Sequence, residues 1–469
     1  MKKQLLFLLF IAFTLTFQSC SEDDYTEIDE VPIATDDSIS STLTSAVDIP
    51  VLANDTTGDV VIPTTVSIIN GIDTDSNSTL DNLIVANQGT WSVNASTGVI
   101  TFSPIDTFTG NPTPISYTVK DAQNNTSNTA TITITAVAIV SADLSQVPYP
   151  KLSDYHFFIG DIKKLNPSLN VLPYEPASSL FTDYALKKRF IWMPSGVQAT
   201  YNVDNKILLF PTGTVLIKNF YYTTIQPNNT TKIIETRLMI RQATGWVFVE
   251  YIWNDEQTDA FLVSGTDFTN GSSQTITFKK NNDEIVTIDY RIPSDAECIA
   301  CHKINEIATP IGVKPQNLNF SYNYNGETKN QLQKLVDQGY LTSFPSSIVS
   351  TVNYKDTSKS LELRTRSYID ANCAHCHQDQ GRCDYRSIRL GFAETIDPTN
   401  IGVCVIADET ISPTLQKIVS PGNYSKSIMH YRMVINEESQ RMPLLGRTIV
   451  HDEGIELIEQ WIISLSPCN

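Results

Sequence analysis

The chain has 469 residues, of which 51 are acidic and 33 are basic, giving a formal net charge of −18. Such an acidic surface repels phosphate, so the composition argues against a nucleic-acid partner and favours docking to a basic one, although solubility in a salty habitat would require the same charge. The chain is too long for one hydrophobic core, and we expect three or four domains.

The first 19 residues have the layout of a secretory signal peptide, with two lysines, an apolar run over residues 5–13 and a small residue before Cys20. The apolar run is too short to span a bilayer of about 30 Å. The junction at Cys20 resembles that of bacterial lipoproteins, which implies a lipid anchor in the outer membrane, on its periplasmic or cell-surface side. An ordinary signal peptide followed by a fortuitous cysteine is the alternative. Residues 20–30 are acidic and predict a solvated tether.

Residues 31–138 predict an all-β sandwich. Polar and apolar residues alternate, as in 131–135, and turn signals such as Asn70-Gly71 recur at short intervals. The runs 89–102 and 117–121 resemble bacterial Ig-like or cadherin-like repeats, which implies a spacer or an adhesive unit, present in one copy. The segment contains no cysteine, no histidine and no catalytic cluster.

Residues 150–290 predict a second, β-rich domain. The runs 206–218 and 246–253 are dense in β-branched and aromatic residues, which is typical of strands. His156 is the only histidine of this segment, and cysteine is absent from it, so we expect no copper or zinc site within it. Its many aromatic residues therefore predict a packed core.

Two motifs of the form C-x-x-C-H follow, one ending at His302 and one ending at His377. Their two thiols lie on one helical turn, where both can add to the vinyl groups of a porphyrin, and the histidine directly after them can reach the iron from the same side. With 8 cysteines and 6 histidines in the chain, a chance occurrence is expected on the order of 0.002 times. The sequence therefore predicts two covalently attached haem c groups. The attachment residues are Cys298, Cys301, Cys373 and Cys376, with His302 and His377 as iron ligands.

Zinc binding and dithiol redox chemistry are the competing interpretations of these cysteines. Two C-x-x-C pairs supply four thiolates, but 71 residues separate the pairs, whereas zinc ribbons place them about 12–20 residues apart. A thioredoxin-like motif is a single pair near a βαβ unit, which this region lacks. The zinc interpretation also leaves the histidine after each pair unexplained, and export fits haem because c-type maturation occurs outside the cytoplasm.

The first haem unit, over residues 291–350, has no obvious sixth ligand. No methionine lies between His302 and the second motif, and the next histidine, His375, is expected to face solvent. The helix predicted over 330–337 resembles a shortened closing helix, so the unit looks truncated. The sixth position is therefore open, filled by water, or filled from elsewhere in the chain. Met193 and His156 are the first candidates, ahead of His430 and His451.

The second haem unit, over residues 358–469, is predicted to be mainly α-helical. One helix is predicted to begin near Ser360, and another over 454–465 has an apolar stripe at helical spacing. This pattern resembles a class I cytochrome c domain, in which the terminal helices close the haem pocket. The Met-Pro dipeptide at Met442 stands where that fold presents its distal thioether, so the resemblance implies Met442 as sixth ligand. Met429 and Met433 are the alternatives.

Three further cysteines follow the motifs. Cys383 and Cys404 bracket a short loop of the second haem unit and could form a disulfide in an oxidising compartment. Cys468 would then be unpaired.

Residues 150–469 as a whole resemble a family of bacterial diheme c-type cytochromes of unassigned role. The resemblance implies a β domain followed by two haem units, and it names no substrate. It is carried by residues 180–185, 187–190, 210–214, 292–294, 372–373 and 421–423.

The function expected from these features is electron transfer between the two haems and an extracytoplasmic redox partner. A peroxidase-type haem enzyme is the alternative, because an open sixth position at the first haem could bind a small molecule. In a third interpretation the Ig-like module is the functional end and the haems are incidental.

Overall fold

The computed structural model describes residues 30–108, 110–263 and 268–468. The chain divides into two compact units between Ala136 and Val137. The predicted signal peptide, Cys20 and all but the last residue of the predicted tether lie outside the described residues. Within the described ranges, no helix is long and apolar enough to cross a membrane.

The first unit is built from short strands. These are β1 (Asp37–Ser41), β2 (Val47–Ile49), β3 (Ile62–Ile68), β4 (Asn82–Val85), β5 (Gly89–Val93), β6 (Ile100–Pro104), β7 (Ile115–Lys120) and β8 (Ala130–Ala136). They form one sheet in the order β1, β8, β7, β3 and another in the order β2, β6, β5, β4, with β1 parallel to β8.

The two sheets of this unit share one core, which confirms the predicted all-β sandwich. Alternation places Ile132 and Ile134 of β8 inside, while Thr133 and Thr135 point outward. Trp91 and Phe102 from one sheet pack with Tyr117 from the other. The described residues of this unit contribute no cysteine or histidine to a site.

The second unit begins with a large antiparallel sheet. Its strands are β9 (Leu172–Tyr174), β10 (Leu186–Trp192), β11 (Val215–Ile225), β12 (Thr230–Gln242), β13 (Gly245–Trp253), β14 (Ala260–Val263), β15 (Ser272–Lys279) and β16 (Ile285–Ile292). The order is β14, β13, β12, β11, β10, β9, and β15 pairs with both β11 and β16.

The predicted strand over 246–253 is confirmed by β13, but the run 206–218 is strand only from Val215 onward. Pro211 has no amide hydrogen for a strand ladder, and Gly213 has a φ of 93° that a strand does not adopt. The first half of the run is therefore a turn, although its residues have strand-like composition.

Short helices and hairpins follow the sheet. They are α1 (Asp295–Cys301), β17 (Lys303–Ile304), β18 (Ile307–Ala308), α2 (Pro315–Leu318), β19 (Ser321–Tyr324), β20 (Glu327–Asn330), α3 (Gln331–Asp337), α4 (Leu361–Asn372), α5 (Pro398–Ile401), α6 (Ile428–Val434) and α7 (Asp452–Ser464).

The predicted helix starts are confirmed by their caps. The Asn330 side chain accepts from the amides at the start of α3, and the Ser360 hydroxyl accepts from the amide of Leu363 in α4. Helix α7 begins at Asp452 rather than 454 and packs against α4. The described chain is thus multidomain and β-rich, as predicted, whereas a cytochrome c-like domain over 358–469 stays a prediction.

The segment after the first motif shares a core with the large sheet. Ile191 of β10 and Leu216 of β11 pack with Leu332 and Leu335 of α3. The first motif also lies against this sheet, because α1 packs on β13 and the His302 ring packs against Phe248 of the same strand.

Candidate functional site

The two C-x-x-C-H motifs meet in space, although 70 residues separate them. The Cys301 and Cys376 sulfur atoms and a ring nitrogen of His375 all lie within 4.8 Å of one another. The four motif cysteines are free of disulfides. All four thiols are therefore chemically available for attachment.

The first motif is held by the cap of α1 and by the sheet beneath it. The Ser294 amide donates to the Glu297 carboxylate at 2.8 Å, and the Glu297 amide donates to the Ser294 hydroxyl at 3.4 Å, which closes a capping box. Arg291 pairs with Glu297 at 2.7 Å. The helix thus begins at a fixed point and delivers Cys298 and Cys301 on its last turns.

The His302 ring is oriented by a backbone carbonyl. Its Nδ1 lies 3.3 Å from the Thr309 carbonyl oxygen, and its ring packs against Phe248 with centroids 5.0 Å apart. Because a carbonyl only accepts, Nδ1 carries the hydrogen and Nε2 keeps its lone pair. This is the way in which metal-bound histidines are held in proteins.

The second motif begins where α4 ends. The Cys373 amide donates to the Ile369 carbonyl at 2.8 Å, and the Leu390 amide donates to the His377 carbonyl at 2.9 Å. The buried Nδ1 of His377 has no hydrogen-bond partner among the described residues. This histidine therefore presents an unused nitrogen inside the protein.

A cavity of about 390 Å³ opens beside the second motif. Cys373, Cys376 and His377 line one part of it. Three methionines line another part, together with apolar residues of α4, α6 and α7. The methionines are Met429, Met433 and Met442, which are the predicted ligand and its two alternatives.

Burial and mutual contact give the four motif thiols different pKa values. Burial raises the pKa of Cys298 to about 11 and that of Cys373 to about 12. A hydrogen bond from Cys376, with help from His375, lowers the pKa of Cys301 to about 5. The same contact raises the pKa of Cys376, so Cys301 is the thiolate of this pair.

The motif histidines are neutral. Burial lowers the pKa of His377 to about 4 and places that of His302 well below its usual value. Neutral imidazole is the form that ligates a metal. An apolar cavity of this size, with paired thiols, a neutral histidine and methionine sulfur, is chemically suited to a covalently attached haem.

The first unit, over residues 30–136, matches the family model for the repetitive domain of the surface adhesin CshA. No curated protein matches the chain. The family match covers the β-sandwich and does not extend to the two motifs.

The other predicted ligands are scattered. Met193 is buried in the apolar core beneath the sheet, and His156 is exposed at the end of a short helical turn. His430 pairs with Glu459 at 2.7 Å. None of these three side chains lines either cavity described for this unit.

The expectation that His375 faces solvent is wrong. Only 9% of its surface is exposed, and it contacts Cys301 across the gap between the motifs. The first motif covers it, and such a long-range contact leaves no mark in the local sequence.

The predicted disulfide between Cys383 and Cys404 is also wrong. Cys404 is bonded to Cys468, with Cα atoms 5.8 Å apart, and Cys383 is free. The Cys383 amide donates to the Cys376 carbonyl at 3.0 Å, which keeps Cys383 beside the second motif. Helix α7 returns the C-terminus to Cys404, so nearness in sequence was misleading.

Asp183 is a functional-site neighbour that sequence reasoning missed. Its buried carboxylate accepts from the Thr448 amide at 2.7 Å, the Ile449 amide at 3.1 Å and the Thr448 hydroxyl at 3.0 Å. It thereby fixes the loop between Met442 and His451. The backbone of Asp183 is left-handed, with a φ of 44°. Asp183 lies in segment 180–185, which carries part of the resemblance to diheme cytochromes, and this was the sequence signal that could have identified it.

His451 closes the same side of the cavity. Its Nδ1 lies 3.0 Å from the Tyr368 hydroxyl and its Nε2 lies 3.3 Å from the Tyr354 hydroxyl, while Phe181 stacks on its ring with centroids 4.1 Å apart. These contacts use both ring nitrogens. His451 is therefore a wall of the cavity rather than a free ligand.

Proposed function

We propose that the protein is an exported diheme c-type cytochrome that transfers electrons between two covalently bound haems and an extracytoplasmic redox partner. The contact between the two motifs is the observation that carries this proposal. Groups attached to neighbouring thiols are themselves neighbours, which favours electron exchange between them. The haem supplies the one-electron iron chemistry, and the protein supplies attachment, ligands and surroundings.

The attachment and ligand residues form two haem sites in this proposal. Cys298 and Cys301 attach the first haem, and Cys373 and Cys376 attach the second. His302 and His377 would ligate the two irons. Met442 would supply a further ligand to the second iron, and its thioether would raise the reduction potential of that haem.

Export and surface display are supported by the N-terminus and by the first unit. A signal peptide, a lipid on Cys20 and an acidic tether would hold the protein at the outer membrane. The match of residues 30–136 to a repeat of a surface adhesin agrees with a location outside the cell. The sandwich would then be a spacer or an adhesive unit for the redox unit that follows it in the sequence.

The haem count of mature protein tests the proposal. The protein is expressed in a host that matures c-type cytochromes, and its intact mass and visible spectrum are measured. We expect two added haem masses. Replacing Cys298 and Cys301 by alanine removes one haem, and replacing Cys373 and Cys376 removes the other.

Cys383→Ala is the matched control, because this free cysteine lies beside the second motif without belonging to it. It retains both haems. Folded protein that carries no haem would overturn the proposal. If such protein holds zinc, and loses it when Cys301, His375 or Cys376 is replaced, the three-residue cluster is a metal site instead.

A peroxidase-type enzyme is the second candidate. It is favoured by the positions of Met193 in the apolar core and His156 at the surface, since neither lines either of the two cavities described above. An iron without a distal side chain can bind peroxide. One high-spin haem with peroxide turnover would support the enzyme, and two low-spin haems would exclude it.

A further inference from the structure

Four cations gather on the sheet face that carries the first motif. The register aligns Arg189 of β10 with Lys218 of β11 and Lys218 with Arg237 of β12. Lys187 lies two residues before Arg189 and so points to the same face. We call Lys187, Arg189, Lys218 and Arg237 the cationic patch.

Within the described part of the chain, only Arg237 of the patch has a carboxylate partner. Arg237 donates through Nε to Glu235 at 3.0 Å and lies 3.4 Å from Glu250. Tyr290 donates to Glu235 at 2.6 Å, so Glu235 is the stabilised anion of this pair. Burial and the nearby Glu235 raise the pKa of Glu250 well above its usual value, so Glu250 adds little negative charge.

The remaining cations have no carboxylate within ion-pair distance among the described residues, and Glu175 acts on Arg189 only from farther away. Among the described residues, Arg189 and Lys218 have no hydrogen-bond or ion-pair partner, and Arg189 is only 6% exposed. The Phe220 ring lies 4.8 Å from Lys218 Nζ and 5.9 Å from Lys187 Nζ, but a ring face offsets a buried charge only in part. Burial and the neighbouring cations lower the pKa of Lys187 and Lys218 well below its usual value, and a bound anion would offset this effect.

A cavity of about 600 Å³ lies next to the patch, and Arg189 and Lys218 both line it. Asp370 is its one acidic lining residue among those described, and Lys314 neutralises it at 3.3 Å. The segment after the first motif also lines the cavity, with Ile304, Ile307 and Thr309, whose carbonyl orients His302. The cavity thus brings apolar residues that follow the first motif together with two members of the cationic patch.

We propose that Arg189 and Lys218 bind paired carboxylates in this cavity, and that these are the two propionates of the haem attached at Cys298 and Cys301. The inference rests on the proposed function for the identity of the ligand. An apolar ring that carries two carboxylates matches a cavity lined by both apolar residues and unpaired cations. The same chemistry would also accept a small dicarboxylate from solution, and the experiment separates these sources.

The first test is the reduction potential of the first haem in Arg189→Gln and Lys218→Met. Removing a cation beside the haem favours the oxidised iron, so its midpoint potential shifts downward while the second haem keeps its own. The single-haem cysteine variants assign the two potentials. Lys188→Gln is the matched control, because Lys188 lies on the same strand with its side chain exposed on the other face.

The second test uses succinate and calorimetry. Protein without the first haem, made by replacing Cys298 and Cys301 with alanine, binds succinate, and adding Arg189→Gln abolishes this binding. Protein with both haems does not bind it. The spectrum of the second haem reports that each variant is folded.

Other results would overturn the inference. Succinate binding to the diheme protein, with unchanged potentials in both patch variants, would make a dissolved anion the ligand. Absence of both succinate binding and a potential shift would leave the patch without a ligand role. If the protein carries no haem, the proposed function fails, and succinate binding to that protein still reports whether the patch binds carboxylates.

Discussion

Cys468→Ser should weaken the fold around the second motif by a measurable amount. The disulfide from Cys404 to Cys468 joins the loop after α5 to the end of α7 across a separation of 64 residues. Helix α7 packs against α4, which leads directly into Cys373. The bond therefore restrains one wall of the cavity that would hold the second haem.

The magnitude follows from chain entropy. Closing a loop of this length in the unfolded chain is worth about 4 kcal/mol at 25 °C. Domains are stable by about 5–15 kcal/mol, so the loss is large but need not unfold the protein. Because the attachment thiols are elsewhere, Cys468→Ser should still carry both haems.

Urea unfolding followed by circular dichroism measures this difference, with Cys383→Ser as the control. The Cys383 thiol is free, so its variant should lose less than about 1 kcal/mol. Peptide mapping without reduction should recover Cys404 joined to Cys468. A mapped Cys383 to Cys404 bond, with the larger stability loss in Cys383→Ser, would refute the reasoning.

Three further changes have defined outcomes. Met442→Ala should lower the reduction potential of the second haem and leave the first unchanged in spectroelectrochemistry. Asp183→Ala leaves two amides without an acceptor and should cost about 1–3 kcal/mol, seen as faster hydrogen exchange over 442–451, whereas Asp183→Asn keeps one carbonyl oxygen and most of the protection. Burial raises the pKa of Asp37 to about 6, so folding favours the protonated form and wild-type stability falls as pH rises from about 4 to 6. Asp37→Asn should therefore raise the free energy of unfolding of residues 30–136 at pH 7 by about 1 kcal/mol, a value that allows for the partial exposure of Asp37, and slower hydrogen exchange would report it. The substitution should have no effect near pH 4.

Features that depend on neighbouring residues could be predicted from the sequence. The β-sandwich follows from alternation along strands such as β8, and the starts of α3 and α4 follow from Asn330 and Ser360. The motif chemistry is equally local, because one helical turn and the next residue contain every group it needs.

Features that depend on distant contacts could not be predicted. The predicted partner of Cys404 was wrong because helix α7 brings Cys468 back to it. His375 was predicted to face solvent, but the first motif covers it. Asp183 stabilises a loop more than 260 residues away in the chain. No local pattern of polarity or spacing carries such information.

The role of the cationic patch is not visible in the sequence of strand β10. The run Lys187, Lys188, Arg189 looks like a solvated surface in a chain of net charge −18. Alternation along β10 turns Lys188 outward and the other two inward, so an acidic protein gathers cations beside its first motif. A basic partner would meet the acidic surface, while the inner cations would raise the reduction potential of the proposed first haem. The two haems would then be tuned by different means, one by cations near its propionates and the other by the Met442 thioether.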